Sequence, residues 1–529
     1  MKIWFTEHNW PWKPERYRFP TEQMLLTLFP GEKPEYPDVL PKDLGGERGV
    51  MIALSRGAKK ASVSVLVKLD GQYRNGVARF PSEKLDEPDE AVYHTVSHAL
   101  KQAFYQAGTA LLGHELPWGS LTGVRPVKLP TRAMLAGKTA KQAERELQKE
   151  YHVSAPRAAL AVECAEAALD VKRGLEPDGL ALYIGVPFCP TRCAYCSFIS
   201  ADVKRSLALV EPYVEALCRE IELAGSLLRE RGLYIGSAYM GGGTPTTLSA
   251  EQLHKVLSAV ENFLPMERCS EFTVEAGRPD TITANKLETL KAHGIHRISI
   301  NPQSMEDGVL RAMGRAHTAA EIVEAMGLAQ KHFGGMVNMD LIAGLPTDTL
   351  EGFGRTLEKV LDMDPANITV HTLALKKGSK LIEEGSTGAG GDLCAPETVE
   401  AMLALAGRRL REAGYAPYYL YRQKYMSGSF ENVGWTKPGA VCAYNIVMME
   451  ELQTVLSLGA GGITKLVDLE ERKIVRLNNP KYAKEYLESW DKIAAAKRTA
   501  ADFPGRAGPT GRGTRKSSGI KAIVCGKKG

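Results

Sequence analysis

The sequence predicts an α/β protein centred on a partial (β/α)6 barrel, with an amino-terminal α+β domain before it and a carboxy-terminal α+β extension after it. Three observations predict this. Between residues 182 and 371, six short apolar runs alternate with amphipathic stretches, the pattern of βα units in a parallel sheet. The first run leads into a loop carrying Cys189, Cys193 and Cys196 as C-x3-C-x2-C, and ligands gather at the carboxyl ends of parallel strands. At 529 residues the chain exceeds what one core organises, so roughly two to four domains are expected.

Along the chain, residues 1–173 read as the amino-terminal domain. Residues 61–69 alternate like a strand, Asp70-Gly71 is a hairpin turn and 72–80 its returning partner; helical periodicity follows at 91–112, 139–151 and 156–173. Residues 116–128, Leu-Pro-Trp-Gly-Ser-Leu-Thr-Gly-Val-Arg-Pro-Val-Lys, read as a Gly/Pro-shaped linker with Trp118 packed as an anchor. The barrel spans 174–390, with strands expected at 182–186, 237–240, 272–275, 297–301, 337–342 and 368–371 and helices such as 210–228 and 251–263 between them. Residues 391–496 follow as a third domain, with a helix at 397–413 and a tyrosine-rich run at 415–426. From Lys497 onward Gly, Arg, Lys, Thr and Ser dominate, and 497–529 is expected to be a disordered basic tail.

Composition narrows the function. Sixty-seven basic residues against 62 acidic ones, a formal net charge of +5, give no reason to expect a nucleic-acid partner. No apolar stretch approaches the roughly 18 residues of a membrane span. Nine cysteines, an odd number in a chain too long to need stapling, predict reduced thiols and a cytoplasmic protein. Six of them, Cys164, Cys218, Cys269, Cys394, Cys442 and Cys525, are scattered and read as small buried groups or incidental thiols.

The cysteine triplet carries the chemistry. A structural zinc site needs a fourth Cys or His nearby, and residues 183–200 supply neither. Three thiolates on one short loop instead suit a [4Fe-4S] cluster with one iron left open to a second molecule. At the second strand end, Gly241, Gly242 and Gly243 allow close backbone approach to a ligand. A phosphate-cradling loop would need a Gly-Lys-Ser/Thr ending that is missing here.

Five motifs in order then show a resemblance. These are Tyr183 with Val-Pro-Phe-Cys at 186–189, Tyr-Met-Gly-Gly-Gly-Thr-Pro-Thr at 239–246, Thr-Val-Glu-Ala-Gly-Arg-Pro-Asp at 273–280, Ile-Asn-Pro-Gln-Ser-Met at 300–305 and Asn-Met-Asp-Leu-Ile-Ala-Gly-Leu-Pro at 338–346. The chain thus resembles the radical S-adenosylmethionine enzymes, in particular the oxygen-independent coproporphyrinogen III dehydrogenases, and segment 116–128 resembles their HemZ branch. The resemblance implies a radical SAM barrel, with Cys189, Cys193 and Cys196 holding a [4Fe-4S] cluster and S-adenosylmethionine, two molecules of it, as cofactor. It places Tyr183, Tyr195, Gly242, Gly243, Thr244, Glu275, Gln303, Arg315, Asp340 and Ala374 around that cofactor: Gly242, Gly243 and Thr244 at the methionine part, Glu275 at its amino group, Gln303, Arg315 and Asp340 at ribose and carboxylate, and Ala374 beside adenine. Taken alone, a strand-end carboxylate or amide is as well explained as a helix cap; the shared register with the cysteine loop favours a site. A tetrapyrrole substrate and a low-potential electron donor are implied, with propionates converted to vinyl groups by a 5'-deoxyadenosyl radical. Arg192 would serve as a carboxylate partner near the cluster, although a solvated basic side chain explains it equally. The resemblance implies that 391–496 covers the barrel mouth. Tyr418, Tyr419, Tyr421 and Arg422 would stack on pyrrole rings and pair with propionates, although an ordinary edge strand explains them equally.

One position departs from the best-described dehydrogenases. They carry a fourth cysteine two residues past the third, where this chain has Phe198. Relatives that bind and deliver heme share the Cys-x-Phe pattern, so heme delivery is the second reading, and radical chemistry on another substrate the third. Oligomeric state is not legible.

Overall fold

The computed structural model describes residues 1–39, 48–196, 201–203, 206–374, 379, 381, 393–423, 430–468 and 473–503. Alternating apolar residues build a first sheet from β1 (Lys2–His8), β2 (Gly49–Arg56), β3 (Lys60–Leu69) and β4 (Gln72–Pro81), with β1 parallel to β2 and the rest antiparallel. Asp70 and Gly71 both have positive φ, +49° and +79°, as a two-residue hairpin turn of the primed type requires. Val50, Ile52, Leu54, Val63, Val65 and Val67 form one core with helices Arg18–Leu28 and Asp89–Leu112. The sequence reading anticipated β3 and β4 but not β1 or β2.

The second sheet positions the site. Strands β5 (Gly179–Val186), β8 (Tyr234–Gly242), β9 (Glu271–Glu275), β10 (Arg297–Ser299), β11 (Met336–Ala343) and β12 (Asn367–Thr372) lie side by side, all parallel. Between β5 and β8, the two-residue strands β6 (Phe188–Cys189) and β7 (Ala201–Asp202) form a separate pair. Five of the six expected barrel strands fall inside observed ones; β10 ends at Ser299, two residues short of the expected range. Each is buried on both faces, as parallel strands under helices are. Helices Leu207–Glu230 and Ala250–Phe263 contain the expected ranges, the second capped reciprocally by Ser249 and Gln252.

Both edges are extended by later strands. β13 (Ala416–Arg422) and β14 (Glu431–Thr436) add antiparallel beyond β12, while β15 (Val455–Gly459) adds parallel beyond β5, followed by β16 (Ile463–Asp468) and β17 (Lys473–Asn478). The result is an open sheet of eleven strands. Among the described residues β5 and β12 do not pair, so the barrel is partial.

Its amino end is closed by polar groups. Arg297, the first residue of β10 and fully buried, donates to Asn338 Oδ1 (2.9 Å), Asn367 Oδ1, Glu271 Oε2 (3.1 Å) and the Ala440 carbonyl (3.0 Å).

The start of the expected tail is helical instead. Helix Trp490–Ala501 runs through Lys497, which is buried against Glu220 (2.9 Å) and donates to Ser457 O and Asn479 Oδ1. Glu220 also accepts from Gly459 N, Asn479 Nδ2 and Tyr486 OH, so the amine completes a buried network that local composition does not reveal. Residues 504–529, the rest of that tail, with Cys525, lie outside the described residues. No helix among those described is long and apolar enough to cross a membrane.

Candidate active site

The carboxyl ends of the parallel strands open on a cavity of about 820 Å3. The thirteen residues that the resemblance placed at the cluster and the cofactor all line it: Cys189, Cys193, Cys196, Tyr183, Tyr195, Gly242, Gly243, Thr244, Glu275, Gln303, Arg315, Asp340 and Ala374.

The cysteine loop leaves β5 at Val186 and is clasped from the opposite side. Ala194 N donates to the Met313 carbonyl (3.0 Å) and Cys196 N to the Cys193 carbonyl (3.2 Å). Cys189 Sγ lies 3.6 Å from Thr244 Oγ1. Cys193 is buried, and its sulfur meets Arg278 Nη1 at 3.7 Å and Arg315 Nη1 at 4.0 Å. Arg315 further donates to Tyr195 OH (2.8 Å), Asn301 O (2.6 Å), Gly277 O (3.1 Å) and His317 Nε2 (3.3 Å). Burial and the adjacent arginines push the His317 imidazole down to about 3, so it is neutral and accepts. Phe198 lies outside the described residues.

The glycine run has a second reason beyond ligand approach. A Cβ on Gly243 would stand 2.3 Å from Phe188 O, and on Gly242, where φ is +112°, 3.1 Å from the Val186 backbone. These glycines let the end of β8 pack onto the cysteine loop itself.

Polar groups line the next strand ends. Tyr239 OH donates to Glu275 Oε1 at 2.6 Å. Burial pushes the Glu275 carboxyl up to about 7, against that hydrogen bond, which pulls it down. Gln303 holds a left-handed backbone, φ +66°, pinned to β11 by Gln303 N to Asp340 O and Ile342 N to Gln303 O. Among the described residues its Oε1 and Asn301 Oδ1 are buried without a partner. Asp340 Oδ2 is 3.6 Å from His371 Nε2, whose other nitrogen is 3.3 Å from Tyr421 OH.

Flat rings complete the wall. Tyr183 and Tyr239, paired across β5 and β8, stack at 6.4 Å; Tyr239 and Tyr444 stack at 4.9 Å, and Tyr419 and Tyr421 at 6.4 Å. Tyr419, Tyr421 and Arg422 line the cavity from edge strand β13, whereas Tyr418 is buried elsewhere and accepts from Asn445 Nδ2. Trp118 is the anchor the sequence suggested, its Nε1 donating to Glu431 Oε2 at 2.7 Å. The segment also reaches the site: Val124 lines the cavity and accepts from Arg422 N, while Leu121 O accepts from the Arg422 guanidinium.

A profile of the Radical SAM superfamily matches residues 183–360. The oxygen-independent coproporphyrinogen-III oxidase-like protein HemZ of Bacillus subtilis is 36% identical over 445 residues, 84% of this chain and 88% of HemZ. The chain belongs to the radical SAM superfamily. Within it the heme chaperone HemW of Synechocystis sp. is 31% identical over 314 residues, 59% of this chain and 71% of HemW. The solved coproporphyrinogen III oxidase HemN of Escherichia coli covers 62% of this chain and 73% of its own at 23% identity, with a TM-score of 0.49.

A radical SAM protein carries a [4Fe-4S] cluster and S-adenosylmethionine, and the residues present fit both. Among the described residues no three His, Cys, Asp or Glu side chains converge to hold a single metal ion; a cluster asks for one thiolate per iron, and three thiols share this cavity. The unpartnered Gln303 and Asn301 amide oxygens are acceptors suited to a ligand's hydroxyl or amino groups. Sequence reasoning missed Arg278, Tyr239, His371 and Tyr444. The first two lie inside quoted motifs, which was the available signal; the others are marked only by tertiary position.

Proposed function

We propose that this radical SAM protein converts coproporphyrinogen III propionates to vinyl groups without oxygen, in the cytoplasm. What carries the reading is one cavity with three thiols on one wall and stacked tyrosines on another. Flat aromatic faces suit pyrrole rings, and the buried Arg422, which also lines the cavity, brings a positive charge suited to a carboxylate. HemZ, by its name, is coproporphyrinogen-III oxidase-like. When bound, the cluster, fed by a low-potential donor, supplies the electron that cleaves S-adenosylmethionine to a 5'-deoxyadenosyl radical. In balance, each propionate gives a β-hydrogen atom to the 5'-deoxyadenosyl radical and one electron to a one-electron acceptor and loses carbon dioxide, and two propionates call for two S-adenosylmethionine molecules.

The chain's own part is placement. Gly242, Gly243 and Thr244 face the methionine portion, Glu275 its amino group, Gln303 and Asp340 the ribose, and Ala374 the adenine. Arg315 spends its donors on Tyr195, His317 and backbone carbonyls, so its role in this reading is chiefly to hold the loop. From the carboxy-terminal part, Tyr419, Tyr421, Asn432, Tyr444 and Met448 line the cavity. The Glu275 carboxyl is protonated below about 7 and ionised above it, and only the ionised form pairs with an ammonium. Affinity for S-adenosylmethionine therefore rises with pH through that value and falls about tenfold per unit below it. Calorimetry from pH 6 to 8 checks this, and E275Q is expected to flatten the profile.

Heme delivery is the second reading, favoured by Phe198 at the fourth-cysteine position and by HemW among the relatives. Anaerobic turnover of reconstituted protein with reductant, S-adenosylmethionine and coproporphyrinogen III decides between them. Monovinyl and divinyl products support the oxidase; stoichiometric heme binding with no tetrapyrrole conversion supports delivery.

A further inference from the structure

Cys193 sits between two buried guanidiniums. Arg278 and Arg315 are each 4% exposed, and each turns Nη1 onto the same sulfur, at 3.7 and 4.0 Å. Their other donors fix them there. Arg278 spans the Asp280 carboxylate through Nε (3.0 Å) and Nη2 (3.3 Å) and gives a further bond to Thr191 Oγ1 (3.0 Å). The two charges are unequally balanced: Asp280, about a third exposed, is ion-paired with Arg278, whereas Arg315 feels it only at a distance and its partners other than Cys193 are neutral.

We propose that Arg278 and Arg315 form a cationic clamp on Cys193 that sets the electron affinity of the cluster, with Arg278 as its adjustable half. The inference rests on a [4Fe-4S] cluster at Cys189, Cys193 and Cys196. Reduction adds one electron, from a low-potential one-electron donor, to a centre whose ligands are already anionic thiolates. Two positive charges and two N–H to sulfur hydrogen bonds stabilise the reduced form more than the oxidised one, and hydrogen bonds to sulfur are among the levers that set iron–sulfur potentials. Burial of both guanidiniums removes the water that would screen them. Arg278 lies outside the residues assigned to S-adenosylmethionine, so changing it acts on the cluster side of the cavity.

Redox titration of reconstituted full-length protein, followed by electron paramagnetic resonance, tests this without turnover. At a fixed solution potential, Arg278→Met is expected to lower the ratio of reduced to oxidised cluster about tenfold, which is ~59 mV for a one-electron couple. Arg278→Lys, which keeps the charge but loses the fork, is expected to lower it less. Asp280→Asn removes the offsetting carboxylate and is expected to raise it. This reversal of sign separates charge from a loosened loop, which would move every variant the same way. An unchanged ratio in Arg278→Met at full iron content overturns the proposal. Should that variant hold no iron, the Lys and Asn variants decide, and equal or same-direction shifts overturn it. Wild-type protein that takes up no [4Fe-4S] cluster overturns the clamp together with the cluster, a failure seen in the wild type and not in the variants.

Discussion

Cys193→Ala is expected to remove cluster uptake and to drop 5'-deoxyadenosine formation to background while the chain stays folded. The thiol is one of three on a short loop, and two thiolates cannot hold three irons of a cubane. Its sulfur is also where the loop meets Arg278 and Arg315, so the substitution leaves two buried cations facing a methyl group. The fold is expected to survive because Cys193 is not part of the main apolar core, which runs through the strands and helices behind the loop. Iron and sulfide assays, chromatography of the nucleoside and circular dichroism check the three parts. Wild-type cleavage by the variant would contradict the assignment.

Arg297→Met is expected to cost about 3–5 kcal/mol of stability, the range for breaking a buried charged pair from one side. Four bonds end at this guanidinium, and its loss leaves the buried Glu271 carboxylate, among the described residues, with the Cys442 thiol as its remaining donor at 2.9 Å. The Asn338 and Asn367 amide oxygens lose their donor in the same dry space. Because the network closes the barrel at the end opposite the cavity, the cluster-binding loop is expected to keep its geometry in the fraction that folds. Denaturant titration measures the loss; a change below 1 kcal/mol would show that the plug is not a stabilising element.

These two residues mark what local sequence carries. Cys193 is legible because its partners Cys189 and Cys196 are within a few residues and the motif has a chemical meaning by itself. Arg297 reads only as the start of a strand, since the groups that make it a plug come from four other segments. The same holds for β15, whose pairing with β5 is long-range and carries no local mark. Lys497 reads as part of a disordered tail because its neighbours are polar and small, while its partner Glu220 lies on a distant helix. Arg315 was legible as a site residue, yet not as a clasp whose donors are taken by Tyr195, His317 and two carbonyls. The stacked tyrosines show both sides: period-two spacing at Tyr419 and Tyr421 predicts a shared face, and the structure turns that face to the cavity and Tyr418 away.

The most direct measurement is a tracer experiment. Coproporphyrinogen III deuterated at the propionate β-carbons is incubated anaerobically with reconstituted protein, reductant and S-adenosylmethionine, and the 5'-deoxyadenosine formed is analysed by mass spectrometry. One deuterium per nucleoside, together with vinyl products, is the predicted result; unlabelled 5'-deoxyadenosine with the tetrapyrrole recovered intact would contradict hydrogen abstraction from a propionate in this cavity.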